Sequence, residues 1–150
     1  MELIKRNTGY GLRALLHMAA NPDVDASTAE ELAEVADTST DFMHKIMRSL
    51  KEAGIVAAKR GPAGGFRLKR DPHDVTVLEV VNAIQGEFRV NRCVIGLGVC
   101  PRSGECPLRP TWLRIQQELE DGLGAQTIGE IAARVCPDEA TPAEVNDSES

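Results

Sequence analysis

The chain has 150 residues, of which 42% are hydrophobic and 27% are charged. This length allows one sizeable domain, or a compact domain with an appendage, to bury about 70% of its unfolded surface, so folding requires no disulfides. No apolar run approaches the roughly 20 residues of a membrane span, and Arg13 and His17 interrupt the N-terminal apolar segment, which argues against a signal peptide. The sequence therefore predicts a soluble, cytoplasmic protein without a membrane partner.

The net charge of -6 is unevenly distributed. Residues 137–150 carry five acidic side chains and no Lys or Arg, a composition typical of a disordered tail. Residues 59–70 hold five basic side chains and no acid. Because local charge decides whether a surface can meet phosphate, the acidic total does not exclude nucleic acid as a partner.

Three helical patterns occupy the first third of the chain. Apolar residues spaced i, i+3, i+4, i+7 predict an amphipathic helix over about residues 8–20. Ser27 and Glu30 have the spacing of a capping box and begin a short second helix. A third helix follows a polar break, ends at Gly54, and has an apolar face formed by Phe42, Met43, Ile46, Met47 and Leu50. Two short helices joined by a tight turn predict a helix-turn-helix.

A basic β-hairpin is predicted next. The segment RGPAGG suits a turn, and Phe66 and Leu68 alternate with Arg67 and Lys69, as in a strand with one buried and one exposed face. Thr76 and Glu79 then have capping-box spacing and open a fourth helix that ends at Gly86.

A long helix near the C-terminus carries an apolar seam with spacings of 4, 3, 4 and 4 residues, typical of helix pairing. The seam is formed by Leu108, Trp112, Ile115, Leu119 and Leu123. The polar face of this helix is formed by Gln116, Gln117, Glu118, Glu120 and Asp121. We expect the seam to pair with the same helix of a second subunit in a homodimer; packing within one chain is the alternative. A last capped helix ends near Cys136.

A helix-turn-helix followed by a basic hairpin is the outline of a winged-helix module that binds double-stranded DNA. The third helix fits the major groove, where side chains near its N-terminus reach base edges. The Gly-rich wing lets the backbone approach DNA, and a guanidinium favours narrow negative grooves, which places Arg60 at a minor groove or phosphates. The other wing cations would contact phosphates. The candidate DNA-binding residues are Thr40, Asp41, His44, Lys45, Arg48, Lys59, Arg60, Arg67 and Lys69.

Three of the four cysteines, Cys93, Cys100 and Cys106, lie in one Gly/Pro-rich stretch. In a reducing compartment such clustering favours metal or redox chemistry. The C-x6-C-x5-C spacing lacks the close pairs of most structural zinc sites, whereas thiolates spread along a loop suit an iron-sulfur cluster. The sequence predicts that these three cysteines are metal ligands to such a cluster, 2Fe-2S or 4Fe-4S, with zinc or a thiol switch as alternatives.

These motifs together resemble a known family. The stretches GYGLRALLHMAA and DVTVLEVVNAIQG, the segment RGPAGGFRL and the three-cysteine loop are similar to the winged-helix regulators that include IscR and the nitric-oxide sensor NsrR. The similarity covers roughly residues 1–135. It implies a homodimer joined by a long C-terminal helix, DNA bound through the recognition helix and wing, and an iron-sulfur cluster in the loop.

The sequence departs from this family at the fourth ligand. IscR-like members have a His three residues after the last Cys, where this chain has Arg109. NsrR-like members use an acid from the other subunit's first helix, at a position that corresponds to Gly9. The candidates for the fourth ligand are therefore Cys136, Glu2, Asn7, His17 and water. His44 and Lys45 replace the Glu-Gln pair of the IscR recognition helix, so a different operator is expected.

The predicted fold class is mainly α with a small β-hairpin wing: a winged helix-turn-helix followed by a long C-terminal dimerisation helix. The predicted parts are a DNA-binding domain (1–86), a cluster-binding loop (87–107), a dimerisation region (108–136) and an acidic tail (137–150). The predicted function is a dimeric transcription repressor that senses iron, redox state or nitric oxide; no catalytic motif indicates an enzyme. The alternatives are a zinc- or thiol-based regulator, an iron-sulfur carrier or electron-transfer protein, and an ordinary helical domain with a solvated charge run.

Overall fold

The computed structural model describes residues 3–90 and 106–135. Its helices and strands are, in chain order, α1 (Arg6–Ala20), α2 (Ala29–Ala36), α3 (Thr40–Glu52), β1 (Val56–Lys59), β2 (Gly65–Leu68), a short 3-10 helix (Pro72–Asp74), α4 (Val77–Gln85), α5 (Arg109–Gly124) and α6 (Ile128–Val135). The two strands form one antiparallel hairpin, so the mainly helical architecture with a β-hairpin is confirmed. No helix in these two ranges is long and apolar enough to cross a membrane. Cys93, Cys100, Cys136 and the predicted acidic tail lie outside the described residues.

The main core is formed where α1, α2, α3 and α4 meet. Its fully buried side chains include Leu15, Leu32, Met43 and Leu50. Burying each such side chain contributes about 1.5–3 kcal/mol. Helix α1 crosses α3 and α4 at Gly11, where an added Cβ would lie 2.3 Å from Ile84 Cδ1 and 3.1 Å from Ile46 Cγ2. Except for Phe42, the predicted apolar face of α3 is therefore the face that enters this core.

Helix α2 begins one residue later than predicted, because Thr28 rather than Ser27 caps it. The Thr28 hydroxyl accepts a hydrogen bond from the Glu31 N–H (3.2 Å), and the Glu31 carboxylate accepts one from the Thr28 N–H (2.8 Å). Ser27 is buried and exchanges two backbone hydrogen bonds with Phe66 of β2, of 2.9 and 2.8 Å. The residues before α2 thus hold the hairpin against the helical body.

Helix α5 packs on its own chain. Its seam residues Trp112, Ile115, Leu119 and Leu123 lie against a second cluster, formed by Val77, Val81, Phe88 and Val90. Four of the five seam residues therefore pack within the chain, as the alternative expected, while pairing of this helix with a second subunit stays a prediction. No residue of α5 is fully buried, however, and Leu108 and Leu113 remain 44% and 56% exposed.

Helix α6, the last described helix, packs against α1. The residues before it run antiparallel to those before α4, with hydrogen bonds from Val77 N–H to the Gln126 carbonyl and from Ile128 N–H to the Val75 carbonyl, both 2.9 Å long. The Ile128 side chain is completely buried in the main core. Helices α5 and α6 therefore fold back onto the N-terminal body.

Candidate nucleic-acid interface and cysteine loop

A three-residue turn sets the angle between α2 and α3. Asp37 ends α2 in the left-handed conformation (φ 59°), and the Ser39 hydroxyl accepts a hydrogen bond from the Phe42 N–H (3.3 Å) at the start of α3. The guanidinium of Arg13 on α1 donates to the Ala36 carbonyl (2.9 Å) at the end of α2. These contacts fix the helix-turn-helix before any ligand is present.

Helix α3 presents a polar face opposite the buried Met43, Ile46, Met47 and Leu50. Four of its predicted DNA-binding residues are exposed and one, Thr40, is half-buried; the exposed four are Asp41, His44, Lys45 and Arg48. Arg48 is paired with Glu52 on the same helix (3.2 Å). Phe42 departs from its predicted position in the apolar face: it is 37% exposed, and its ring meets that of Tyr10 edge on at 6.0 Å.

The hairpin is built for a close turn at its tip. Ala57 is paired with Arg67 and Lys59 with Gly65 in the strand register. At the turn, the Gly64 N–H donates to the Gly61 carbonyl (2.9 Å), and Gly61 has a φ of +104°, which favours glycine. A Cβ on Gly65 would lie 2.3 Å from the Ser27 carbonyl oxygen. Glycine is therefore needed both to make the turn and to hold the strand against residue 27.

The basic side chains of the hairpin fall into three groups. Lys59 and Arg67 both form ion pairs with Asp25, which precedes α2; the Arg67 contact is 3.9 Å long. The hydrogen bond from Lys59, followed by its charge, lowers the pKa of Asp25 below the ordinary value. Arg70 points away from this group and pairs with Glu79 on α4 (2.9 Å). Within residues 3–90 and 106–135, Arg60 and Lys69 make no ion pair.

Of the three loop cysteines, the structure describes Cys106. Its thiol is half-exposed and not in a disulfide. Its carbonyl accepts a hydrogen bond from the Arg109 N–H (3.1 Å), so Cys106 adjoins the first turn of α5. A free thiol at this position has the chemistry of an iron-sulfur ligand. In the described part of the chain no three His, Cys, Asp or Glu side chains gather into a metal site, so a cluster would depend on Cys93 and Cys100, outside that part.

Residues 88–90, which lead into the cysteine loop, are held by Gln116, a residue predicted to lie on the polar face of α5. Gln116 Oε1 accepts a hydrogen bond from the Val90 N–H (2.7 Å), and its Nε2 donates to the Phe88 carbonyl (2.7 Å). On the other side, Asn82 Oδ1 on α4 accepts the Phe88 N–H (2.8 Å). Gln116 follows Trp112 by four residues and therefore lies beside the apolar seam on the helix surface. This spacing is the feature of the sequence that could have indicated its contact with residues 88–90.

These features define a class of protein. A helix-turn-helix with an exposed polar second helix, followed by a basic hairpin, is the winged-helix fold of DNA-binding regulators. Residues 4–134 match the family model of Rrf2, described as an iron-dependent transcriptional regulator. The chain belongs to the Rrf2 family and is a DNA-binding transcriptional regulator.

Individual relatives agree with this assignment. The HTH-type transcriptional regulator IscR of Vibrio campbellii is 27% identical over 122 residues, which cover 81% of this chain and 72% of the relative. IscR of Escherichia coli O1:K1 / APEC is also 27% identical over 122 residues, covering 81% of this chain and 75% of the relative. These relatives are transcriptional regulators and not enzymes.

Two solved structures show the same fold. CymR, the global cysteine regulator of B. subtilis, superposes with a TM-score of 0.72 at 22% identity, over 89% of this chain and 98% of CymR. IscR of T. potens superposes with a TM-score of 0.70 at 20% identity, over 94% of this chain and 92% of that protein. The predicted winged helix-turn-helix architecture is therefore confirmed.

Proposed function

We propose that the protein is a homodimeric, sequence-specific repressor whose DNA affinity depends on an iron-sulfur cluster ligated by Cys93, Cys100 and Cys106. The observation that carries this proposal is the free, half-exposed Cys106 thiol three residues before α5, at the end of a three-cysteine loop. Residues 87–107 would form the cluster-binding loop between the DNA-binding part (1–86) and the dimerisation part (108–136). When bound, the cluster would bring the thiolates of these three cysteines, which are separated along the chain, close together.

The DNA-binding role is assigned to the exposed face of α3 and to the wing. Asp41, His44, Lys45 and Arg48 are the residues proposed to meet bases or phosphates in the major groove, with Thr40 at the N-terminus of the helix. Arg60 at the glycine-rich turn is proposed to enter a minor groove. Lys59, Arg67 and Lys69 are proposed to contact phosphates. Iron availability, redox state or nitric oxide would act as the signal, since each changes the occupancy of a cluster.

A second copy of the chain is proposed to cover the outer face of α5. That helix has no fully buried residue, and Leu113 is 56% exposed beside the in-chain seam. A dimer would place two recognition helices on one duplex, which suits two half-sites about one helical turn apart. Leu113→Lys should shift the mass measured by analytical ultracentrifugation from dimer to monomer, whereas an unchanged dimer would remove α5 from the interface.

The test of the whole proposal starts from protein purified without oxygen. An absorption spectrum with iron and sulfide analysis should show a bound cluster, and fluorescence anisotropy should give different operator Kd values with and without it. Equal Kd values in the two states would overturn the proposed sensing role. Zinc without iron would identify the metal as zinc.

A thiol-based regulator is the second candidate. The Cys106 thiol is free and half-exposed, and the fold is shared with CymR, which is named a global cysteine regulator. An accessible thiol can be oxidised reversibly without any metal. This candidate would be favoured if iron-free protein lost operator binding on mild oxidation and regained it on reduction by a dithiol.

A further inference from the structure

We propose that Gln116 is the positioning residue that couples the cysteine loop to α5, by clamping the start of the loop onto the helix that follows its end. This inference rests on the proposed function, because it concerns how the state of the loop reaches the DNA-binding helices. The contacts that support it lie within residues 82–90 and 106–116, on either side of the undescribed residues 91–105.

The clamp has contacts on both sides of one short segment. The Gln116 carboxamide binds the Val90 N–H and the Phe88 carbonyl, each at 2.7 Å, while Asn82 binds the Phe88 N–H at 2.8 Å. The side chains of Phe88 and Val90 are 2% and 9% exposed, within the cluster that also holds Val77 and Val81 of α4. Residues 88–90 are therefore fixed to α4 and to α5 at the same time.

The chemistry of the clamp requires a carboxamide. One end of the group must accept from a backbone N–H, and the other must donate to a backbone carbonyl. A carboxylate would place an acceptor oxygen, in the position of Nε2, against the Phe88 carbonyl oxygen, which is also an acceptor. An apolar side chain of the same length would leave both backbone groups without these partners. Asparagine has the same chemistry but is one methylene shorter. Replacing Gln116 by methionine or asparagine therefore changes the clamp in two different ways.

Both ends of the cysteine loop are attached to α5. Val90 lies three residues before Cys93, and Cys106 lies three residues before the start of α5 at Arg109. One end of the loop is thus joined to α5 through the chain and the other end through Gln116. A pull on either end of the loop therefore acts on residues 88–90 or on α5. Because Gln116 joins these two parts, we expect a displacement of residues 88–90 to be passed to α5 and to α4 packed beneath it.

Helix α4 packs directly on α3, the proposed recognition helix. Val80 of α4 is completely buried in the same core cluster as Met43, Ile46 and Met47 of α3. Because packed cores transmit small displacements rather than absorbing them, a shift of α4 moves the base of α3. The same chain of contacts reaches α1 through Gly11, which has no side chain between it and Ile84 of α4.

The test compares full-length wild type with Gln116→Met and Gln117→Met, purified without oxygen. Gln117 is the matched control because each glutamine donates to the acid four residues later, Gln117 to Asp121 at 2.8 Å and Gln116 to Glu120 at 2.5 Å. Among the described residues Gln117 makes no hydrogen bond to residues 88–90. The quantity measured is the ratio of operator Kd values for cluster-loaded and cluster-free protein, with cluster occupancy determined by iron and sulfide analysis. We expect a ratio of about 5- to 150-fold in wild type and in Gln117→Met, and a ratio near 1 in Gln116→Met.

A second readout needs no cluster. Amide hydrogen exchange at Val90 in iron-free protein should be faster in Gln116→Met than in wild type and unchanged in Gln117→Met. If Gln116→Met does not fold, Gln116→Asn replaces it, because it keeps a polar group at the site while falling short of the two backbone atoms.

The outcomes separate this inference from the proposed function. A wild-type ratio of 1 would overturn both. A large wild-type ratio that Gln116→Met or Gln116→Asn retains, with Val90 exchange accelerated, would overturn the clamp alone. A large wild-type ratio that falls toward 1 in the variant, with the control unchanged, supports the clamp.

Discussion

The imidazole of His44 on α3 meets the ring of Phe66 on β2 edge on, with ring centroids 6.2 Å apart and ring planes at 67°. This contact joins the recognition helix to the wing. Phe66 also exchanges two backbone hydrogen bonds with Ser27, so the wing is tied to the residues before α2 as well. The two proposed DNA-contacting elements are therefore positioned together.

Phe66→Leu tests whether this ring contact positions the wing. Leucine keeps an apolar side chain against the core but removes an aromatic pair worth about 0.5–1.5 kcal/mol. We expect operator affinity, measured by fluorescence anisotropy, to fall severalfold with only a small change in Tm. Phe42→Leu is the control, because it removes the Tyr10 ring contact at 6.0 Å and does not touch the wing. Equal loss of affinity in both variants would contradict a specific role for the His44 contact.

Arg60→Ala tests the wing tip. Arg60 makes no ion pair in the described part of the chain, so its charge is available to DNA. We expect weaker operator binding, and a plot of log K against log salt whose slope is shallower by about 0.9, with the dimer still folded. Arg70→Ala makes the same charge change at the other end of the hairpin, where the cation is bound to Glu79, and should leave the slope unchanged. An unaltered affinity at physiological salt would remove the wing tip from the interface.

Asp25→Asn tests the acid that faces two wing cations. The substitution frees Lys59 and Arg67, so nonspecific duplex binding should tighten and its salt slope should steepen by about 0.9 for each cation released. Asp23→Asn, in the same loop but without an ion pair in the described residues, is the control. Titration calorimetry against a nonspecific duplex would give both affinities. Weaker binding by Asp25→Asn would show instead that Asp25 holds the cations in place for DNA.

The Asp25 contact also predicts a pH dependence. Lys59 lowers the pKa of Asp25, so the carboxylate stays charged at neutral pH and the pairing is lost only as the pH falls through that lowered value. The difference in DNA affinity between wild type and Asp25→Asn should therefore be full at neutral pH and disappear in acid. A difference that changed between pH 6 and 8 would point to another titrating group.

Gly65→Ala tests the attachment of the wing to the body. The new Cβ would lie 2.3 Å from the Ser27 carbonyl oxygen, and backbone cannot give way as a flexible side chain can. We expect a loss of about 1–3 kcal/mol in the free energy of unfolding, measured with urea. Gly122→Ala, in α5 with open space around it, should gain about 0.5–1 kcal/mol. Equal stabilities for the two variants would mean that Ser27 and Gly65 do not approach so closely in solution.

Substitution of each cysteine by alanine tests the ligand set. Changing Cys93, Cys100 or Cys106 should abolish the visible absorption of protein purified without oxygen, because each removes a thiolate ligand. Cys136→Ala should keep the absorption. A colourless Cys136→Ala protein would make Cys136 the fourth ligand, and a coloured Cys106→Ala protein would contradict the proposed loop site.

Local patterns in the amino-acid sequence predict the helices, the hairpin and hence the winged-helix fold. Their signals are local: apolar spacing within one helix, the Thr76 and Glu79 cap, and a Gly/Pro turn between alternating strands. Each can be recognised within a few residues because hydrogen bonds within a helix or turn join near neighbours. The proposed ligand set of Cys93, Cys100 and Cys106 remains a prediction from spacing.

Which partner each ambiguous side chain takes depends on the packing of the folded chain. Ser27 pairs with Phe66 and leaves the cap of α2 to Thr28, Phe42 turns toward Tyr10, and the α5 seam packs on α4. Gln116 and Gln117 each donate to the acid four residues later in α5, yet Gln116 alone of the two also holds residues 88–90. The reason is physical: local pattern fixes which face of a helix is apolar, whereas the contacts of a side chain near the edge of that face depend on distant segments brought beside it by packing.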